Sequence, residues 1–274
     1  MAVGRGIGFV LWLLVCVLPV LAQPLPDKSQ YTLTNRTPKE LLRPLSPDRP
    51  DVTESAYTVD AGWLQLETDV LGFSREDGRT SWTLAPLNFK LGLGQNVDFQ
   101  VGLTPYSLSD SNVEGVVSRE TAVIPDVTLR VKVNLWGNDG GPTAFAVMPF
   151  ITIPTRAGRV DGGLIFPLAV ELSEGWGLGT MVVVAFVPNT IDDGYHTEFV
   201  NSLVLGHDLT AELGAFAEFV SMLSTEQEAP WMATVNAGLT YALSQNLLLD
   251  TGVRFGLTPA APDTELFVGL TVRF

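Results

Sequence analysis

Pro125–Trp136 reads PDVTLRVKVNLW, and its alternation decides the fold. From Val127 to Leu135 every odd position is apolar: Val127, Leu129, Val131, Val133 and Leu135. The even positions are Thr128, Arg130, Lys132 and Asn134. Successive side chains of a strand point to opposite faces, so one face here is apolar and the other carries two positive charges. A soluble sheet would turn the apolar face to its core. A membrane barrel would turn the apolar face to lipid and the charges to the lumen. The rest of the chain separates the two.

The 274 residues are 46% hydrophobic and 17% charged, yet beyond the N-terminus no run approaches the roughly 20 apolar residues of a spanning helix. Gly and Pro recur throughout, and the apolar period is two rather than 3.6. Residues 1–22 read as a signal peptide, with Arg5 in the basic region, Ile7–Leu21 as the apolar core and Val20-Leu21-Ala22 before the cleavage point. The one cysteine, Cys16, lies inside it, so the exported chain would hold neither disulfide nor thiolate. With Arg5 removed, 15 basic residues face 30 acidic ones, a net charge of −15, which argues against nucleic acid as a partner. Residues 23–60 are Pro-rich and read as a loosely structured periplasmic segment; whether it folds back into a lumen is left open by its sequence.

From Trp63 onward, within residues 61–274, twelve alternating segments can be drawn: 63–73, 82–91, 97–106, 127–136, 143–153, 164–172, 176–187, 196–205, 210–220, 231–243, 247–257 and 265–274. Most have the length a tilted strand needs to cross the hydrocarbon. With both termini on one side, the links on that side are short, such as Gly92–Asn96 and Ser244–Asn246. Those on the other side are mostly longer, such as Ser107–Asp126 and Pro154–Gly163. An even strand count, short inner turns and long outer loops predict an all-β fold: a transmembrane antiparallel up-and-down barrel of about twelve strands.

Aromatic placement agrees. Trp63, Trp136, Trp176 and Tyr241 fall at the inner rim, and Trp82, Tyr106, Tyr195 and Trp231 at the outer rim, as two interfacial girdles would. The last strand, LFVGLTVRF, ends on Phe274, a signal of the kind read by barrel-assembly machinery. Outer-membrane lipid and that machinery are therefore the expected partners, after export to the outer membrane of a Gram-negative-type bacterium. The lumen face would carry Glu67, Asp69, Lys90, Asp98, Arg130, Lys132, Glu198, Glu212, Glu218, Asp250, Arg254 and Arg273. Closure of the first strand on the last would bring Glu67 and Asp69 near Arg254 and Arg273. Such charges either fill a narrow barrel as ion pairs or screen solutes at a constriction. Met148, Phe150 and Phe216 make part of the inner face apolar, and lumen-side glycines (Gly102, Gly214, Gly238, Gly252, Gly256, Gly269) leave space.

No catalytic constellation is expected. His207 and His196 are the two histidines, and Ser202 lies roughly 20 Å from His196 along an extended strand. The acids Asp161, Asp192 and Asp193 have no metal-ligand spacing, so no metal and no cofactor is expected.

Ser46–Asp69, SPDRPDVTESAYTVDAGWLQLETD, resembles the N-terminal hallmark of the MetA-pathway of phenol degradation family, with Ala56 where proline is common. Ala237–Phe274 resembles the family's ending, and Leu84–Val101 with its GLGQNVDFQVG turn, Ala146–Thr155 and Leu205–Phe219 fit between. The resemblance implies an outer-membrane barrel that transports small, potentially aromatic or hydrophobic, solutes, and it brings no catalytic motif. The alternative is a structural or surface-interaction barrel with a plugged lumen.

Overall fold

The structure is a computed structural model. It describes residues 27–76, 79–84, 86–103, 106–113, 116–122, 126–155 and 158–274, with backbone alone at 79, 83–84, 106–113 and 116–122. The expected signal peptide lies outside the described residues.

Fifteen strand segments form one antiparallel sheet: β1 (Leu64–Glu76), β2 (Arg79–Leu84), β3 (Leu87–Gly94), β4 (Val97–Leu103), β5 (Tyr106–Val113), β6 (Val116–Ala122), β7 (Val127–Trp136), β8 (Thr143–Ile153), β9 (Asp161–Ser173), β10 (Trp176–Pro188), β11 (Tyr195–Asp208), β12 (Leu213–Ser224), β13 (Met232–Ser244), β14 (Leu247–Gly256) and β15 (Thr264–Arg273). β3 and β2 pair with successive stretches of β1, β4 and β5 continue that arrangement, and β7 and β6 follow. Each of these three couples takes one place in the wall, which makes a twelve-stranded barrel. β15 closes it on β1, and backbone bonds between Leu64 and Phe274 complete the seam. Closure removes the open edge that would otherwise leave backbone groups unpaired in lipid.

The outward face is apolar and exposed, as with Leu203, Phe219, Val235, Leu239, Leu249 and Phe255. In water such a belt would be an association hazard; in a bilayer it is the lipid contact. The inward face buries charge instead. Lys90, Asp98 and Lys132 have no measurable exposure. The alternation of β7 is kept, with Lys132 and Asn134 buried and Leu135 exposed.

The structure corrects three expectations. Ser107–Asp126, read as an outer loop, contains the hairpin β5–β6, whose polar alternation gave no apolar face to recognise. The strand expected from residue 210 starts at Leu213, and Glu212 lies in the exposed turn before it, not in the lumen. The described part, 27–60, of the segment read as loosely structured is seated on the barrel. Part of the segment is held at the inner-turn end, with a short 3-10 turn at Lys39–Leu41, and residues 43–60 form a loop inside the lumen.

Candidate functional site

The lumenal loop rises from the inner turns, turns over at Arg49–Glu54 and descends again to β1. Its foot is anchored by charge. Lys28 Nζ lies 2.8 Å from Asp139 Oδ1 and 3.1 Å from Asp60 Oδ1. Arg43 bonds Asp139 through Nε and Nη2 at 2.9 and 3.0 Å, and its backbone amide donates to Asp60 Oδ2 at 2.9 Å. Asp139 lies in the turn between β7 and β8. Burial opposes its ionisation, yet the bonds from Arg43 and Lys28 hold its carboxyl below the ordinary carboxylate range.

The ascending limb places Asp48 on the cationic wall. Its carboxylate accepts from Lys90 Nζ at 2.7 Å, from Gln100 Nε2 at 3.2 Å and from Lys132 Nζ. Glu67 completes the cluster, 2.9 Å from Lys90 and bonded by Gln65 at 2.8 Å. At the apex Arg49 reaches the neighbouring β14–β15–β1 seam, 2.6 Å from Asp69 and bidentate on Asp250 at 2.6 and 2.8 Å. The guanidinium fits because Gly269 lies beneath it; a Cβ there would stand 2.0 Å from Arg49 Nη2.

Glu218 on β12 receives the top of the loop. It accepts from Val52 N at 2.9 Å, Thr53 N at 2.8 Å and Thr53 Oγ1 at 2.7 Å, and from Asn236 Nδ2 at 2.6 Å. Thr53 Oγ1 also lies 2.7 Å from Ser202 Oγ on β11. Glu54 reaches Arg130 Nη1 at 2.8 Å. On the descending limb Asn134 Nδ2 donates to Ala56 O, Asn138 brackets Thr58, and Val59 N donates to Asp98. A buried charge needs a partner, and the loop supplies partners to both signs on the wall.

The wall is chemically two-sided. Charges concentrate on β14–β15–β1–β3–β4–β7, whereas Met148, Ile165, Met181, Val183 and Ala185 form an apolar patch on β8–β10, with Val52 packed against it. Two cavities flank the apex. One of about 540 Å³ is lined by Asp48, Glu54, Asn88, Asp126, Arg130 and Arg254. The other, about 940 Å³, lies toward the inner turns, between the loop (Tyr57, Pro47) and a wall that includes Gly177, Gly206 and Phe216. Arg49, Pro50, Asp51 and Glu54 line both.

The expected lumen residues therefore come together mostly through the loop, with Lys90 and Glu67 also paired directly. Glu67, Asp69, Lys90, Asp98, Arg130, Lys132, Glu218 and Asp250 all bond loop atoms. Arg273 does not pair with Glu67 or Asp69 but donates to Arg43 O at 2.9 Å and lies 3.9 Å from Asp60. Arg254 is 3.6 Å from Glu265 and also donates to Pro50 O. Glu198 stays near the outer end beside His196.

Among the girdle residues, Trp82, Trp136, Trp176, Tyr195, Trp231 and Tyr241 are exposed on the outer surface, and Trp136 stacks on Phe145. Trp63 is a correction. It shares the inward parity of Gln65 and Glu67, is 3% exposed, donates Nε1 to Thr37 O and lies under the Arg36 guanidinium. The side chain of Tyr106 lies outside the described residues. The residues missed from sequence are those of the loop: Asp48, Arg49, Thr53 and Glu54. The DRPD-x-TES motif Asp48–Ser55 was their signal, present as a resemblance without a structural reason.

A closed barrel with an apolar belt, aromatic rims and a polar lumen is the architecture of outer-membrane channels and porins. The model of the family described as "Putative MetA-pathway of phenol degradation" matches residues 47–274, and the chain belongs to that family. No curated protein matches its sequence. Among solved structures it is similar to the COG4313 outer membrane channel from Pseudomonas putida F1, with a TM-score of 0.58 and 11% identity over 77% of this chain and 95% of that one. The NanC porin gives 0.54 and 8%, over 76% and 98%. These likenesses bear on the fold.

Proposed function

We propose that this barrel passes small solutes across the outer membrane and that the structure is its closed state. The observation that carries this reading is the pair of cavities divided by the loop apex. Retraction of Arg49–Glu54 toward the inner turns would join them into one path. A twelve-stranded lumen is too narrow for a wide aqueous pore, so the passenger is small. The apolar patch beside the charged wall favours a solute that is aromatic or otherwise partly hydrophobic over a sugar. Transport, not catalysis, is the chemistry in this reading. His196 is held by Asn189 and Glu198, His207 stacks on Trp176, and Ser202 is bonded to Thr53, so neither imidazole addresses a nucleophile among the described residues. Export by the signal at 1–22 and assembly through Phe274 belong to the same reading.

A second reading, a permanently filled structural barrel, is favoured by the density of buried pairs around Asp48 and Glu218. Planar-bilayer recording of the full mature chain separates them. Arg49→Ala with Glu218→Ala removes two anchorages, the first stranding the buried Asp250 carboxylate at about 3–5 kcal/mol and the second stranding neutral donors at about 1–3 kcal/mol. The closed-channel reading expects brief openings from the unmodified chain and sustained conductance from the variant. Silence from both, with the heat-dependent gel shift of a folded barrel retained, would favour the filled barrel.

A further inference from the structure

The loop apex occupies the solute path, and its chemistry describes what that place accepts. Lys90, Gln100 and Lys132, fully buried on three neighbouring strands, converge on one carboxylate. Among the described residues Lys132 Nζ hydrogen-bonds Asp48 alone. A second carboxylate, Glu54, sits on Arg130, and Arg130 Nε and Asn88 Oδ1 are buried atoms with no hydrogen-bond partner among the described residues, beside the same cavity of about 540 Å³. Between these two acids in sequence, Val52 lies on the apolar patch of Met148, Ile165, Met181, Val183 and Ala185. The loop thus presents a carboxylate next to an apolar body, and a rigid wall grips each part.

We infer that this place is a binding site for a small carboxylate with an apolar body, an arylcarboxylate by class, and that Asp48 and Val52 occupy it as an internal stand-in. The inference deepens the channel reading by naming the solute class. Binding is nonetheless a property of the folded barrel, measurable without current. A tethered carboxylate competes at an effective concentration of about millimolar or above, so the unmodified chain binds a free acid weakly. Replacing Asp48 by its neutral isostere removes the competing charge and leaves Lys132 Nζ without its carboxylate among the described residues, while Lys90 keeps Glu67.

The test is equilibrium dialysis of labelled benzoate against the full mature chain folded in detergent micelles, with empty micelles as the blank. Acetate and benzyl alcohol present the two halves of the ligand separately. Asp48→Asn is expected to bind benzoate roughly tenfold tighter or more than the unmodified chain, and to prefer it to either half by a similar factor. Lys132→Gln in that background abolishes the gain, and Lys132→Arg keeps most of it. If Asp48→Asn loses the folded gel form, Arg49→Ala frees the same loop and leaves the cradle intact. Benzoate affinity unchanged on freeing the loop, indifferent to Lys132→Gln, or no better than acetate would overturn the inference. A barrel that binds benzoate but never conducts would sink the channel reading alone.

Discussion

Asp139 shows how much a single turn residue holds. Its carboxyl sits below the ordinary range because Arg43 and Lys28 stabilise the charged form more than burial opposes it. A depressed carboxyl contributes stability above its unfolded value, near 4, and loses that contribution as pH falls through the lower folded value. The foot of the loop should therefore loosen only in acid. Hydrogen exchange of amides 28–43, corrected for intrinsic rates, is expected to be slow at pH 7 and faster at about pH 3. Asp139→Asn should give the fast behaviour already at pH 7, and a pH-independent pattern in both proteins would remove Asp139 from the anchorage. At this scale the sequence was only half legible. Parity put Lys90, Asp98, Lys132 and Asp250 on one face, and all four are buried, because a period of two is a property of neighbours. It could not pair them, because Arg49 and Asp250 are 201 positions apart. Trp63 was misplaced although its parity was readable: its position at a strand end suggested a rim, while its indole belongs to the buried base of the loop.

Elements meet here through absent side chains. β3 carries Gly92 where the descending limb crosses it, Gly62 N donating to Gly92 O at 2.8 Å. A Cβ at Gly92 would stand 2.0 Å from Asp60 O and 2.5 Å from Asp60 C, both backbone atoms that no rotamer change can move. Gly92→Ala should lift the limb off β3 while leaving the β3–β4 ladder in place. Limited chymotrypsin digestion of the folded barrel would read this as cleavage after Tyr57, on the descending limb, at least about tenfold faster than in the unmodified protein. Unchanged protection would mean that the limb is not seated on Gly92. The lumen-side glycines were recognised in the sequence as space-making. What fills the space was not, because a Pro-rich segment with no period gives no face to match, and its order comes from wall partners distant in sequence.

On the scale of the whole molecule, the lipid belt and the lumen network divide the work. The belt holds the barrel in the bilayer, and in the proposed channel reading the network decides whether it is open. Strand positions from β7 onward were legible to within about four residues, since each must present an apolar stripe of spanning length. The closed state was not, since nothing in the alternation shows that the lumen is occupied. Thr53 and Ser202 offer the most direct check. Their hydroxyl oxygens are 2.7 Å apart, one on the loop apex and one on β11, and the chain's one cysteine lies in the expected signal peptide. Thr53→Cys with Ser202→Cys, placed in the Arg49→Ala background to loosen the loop, should form a disulfide on oxidation. Conductance recorded before and after reduction is the decisive measurement. The account predicts a silent oxidised barrel that conducts once the bond is reduced. A bond that does not form, or a current indifferent to it, would contradict the seating of the loop as the gate.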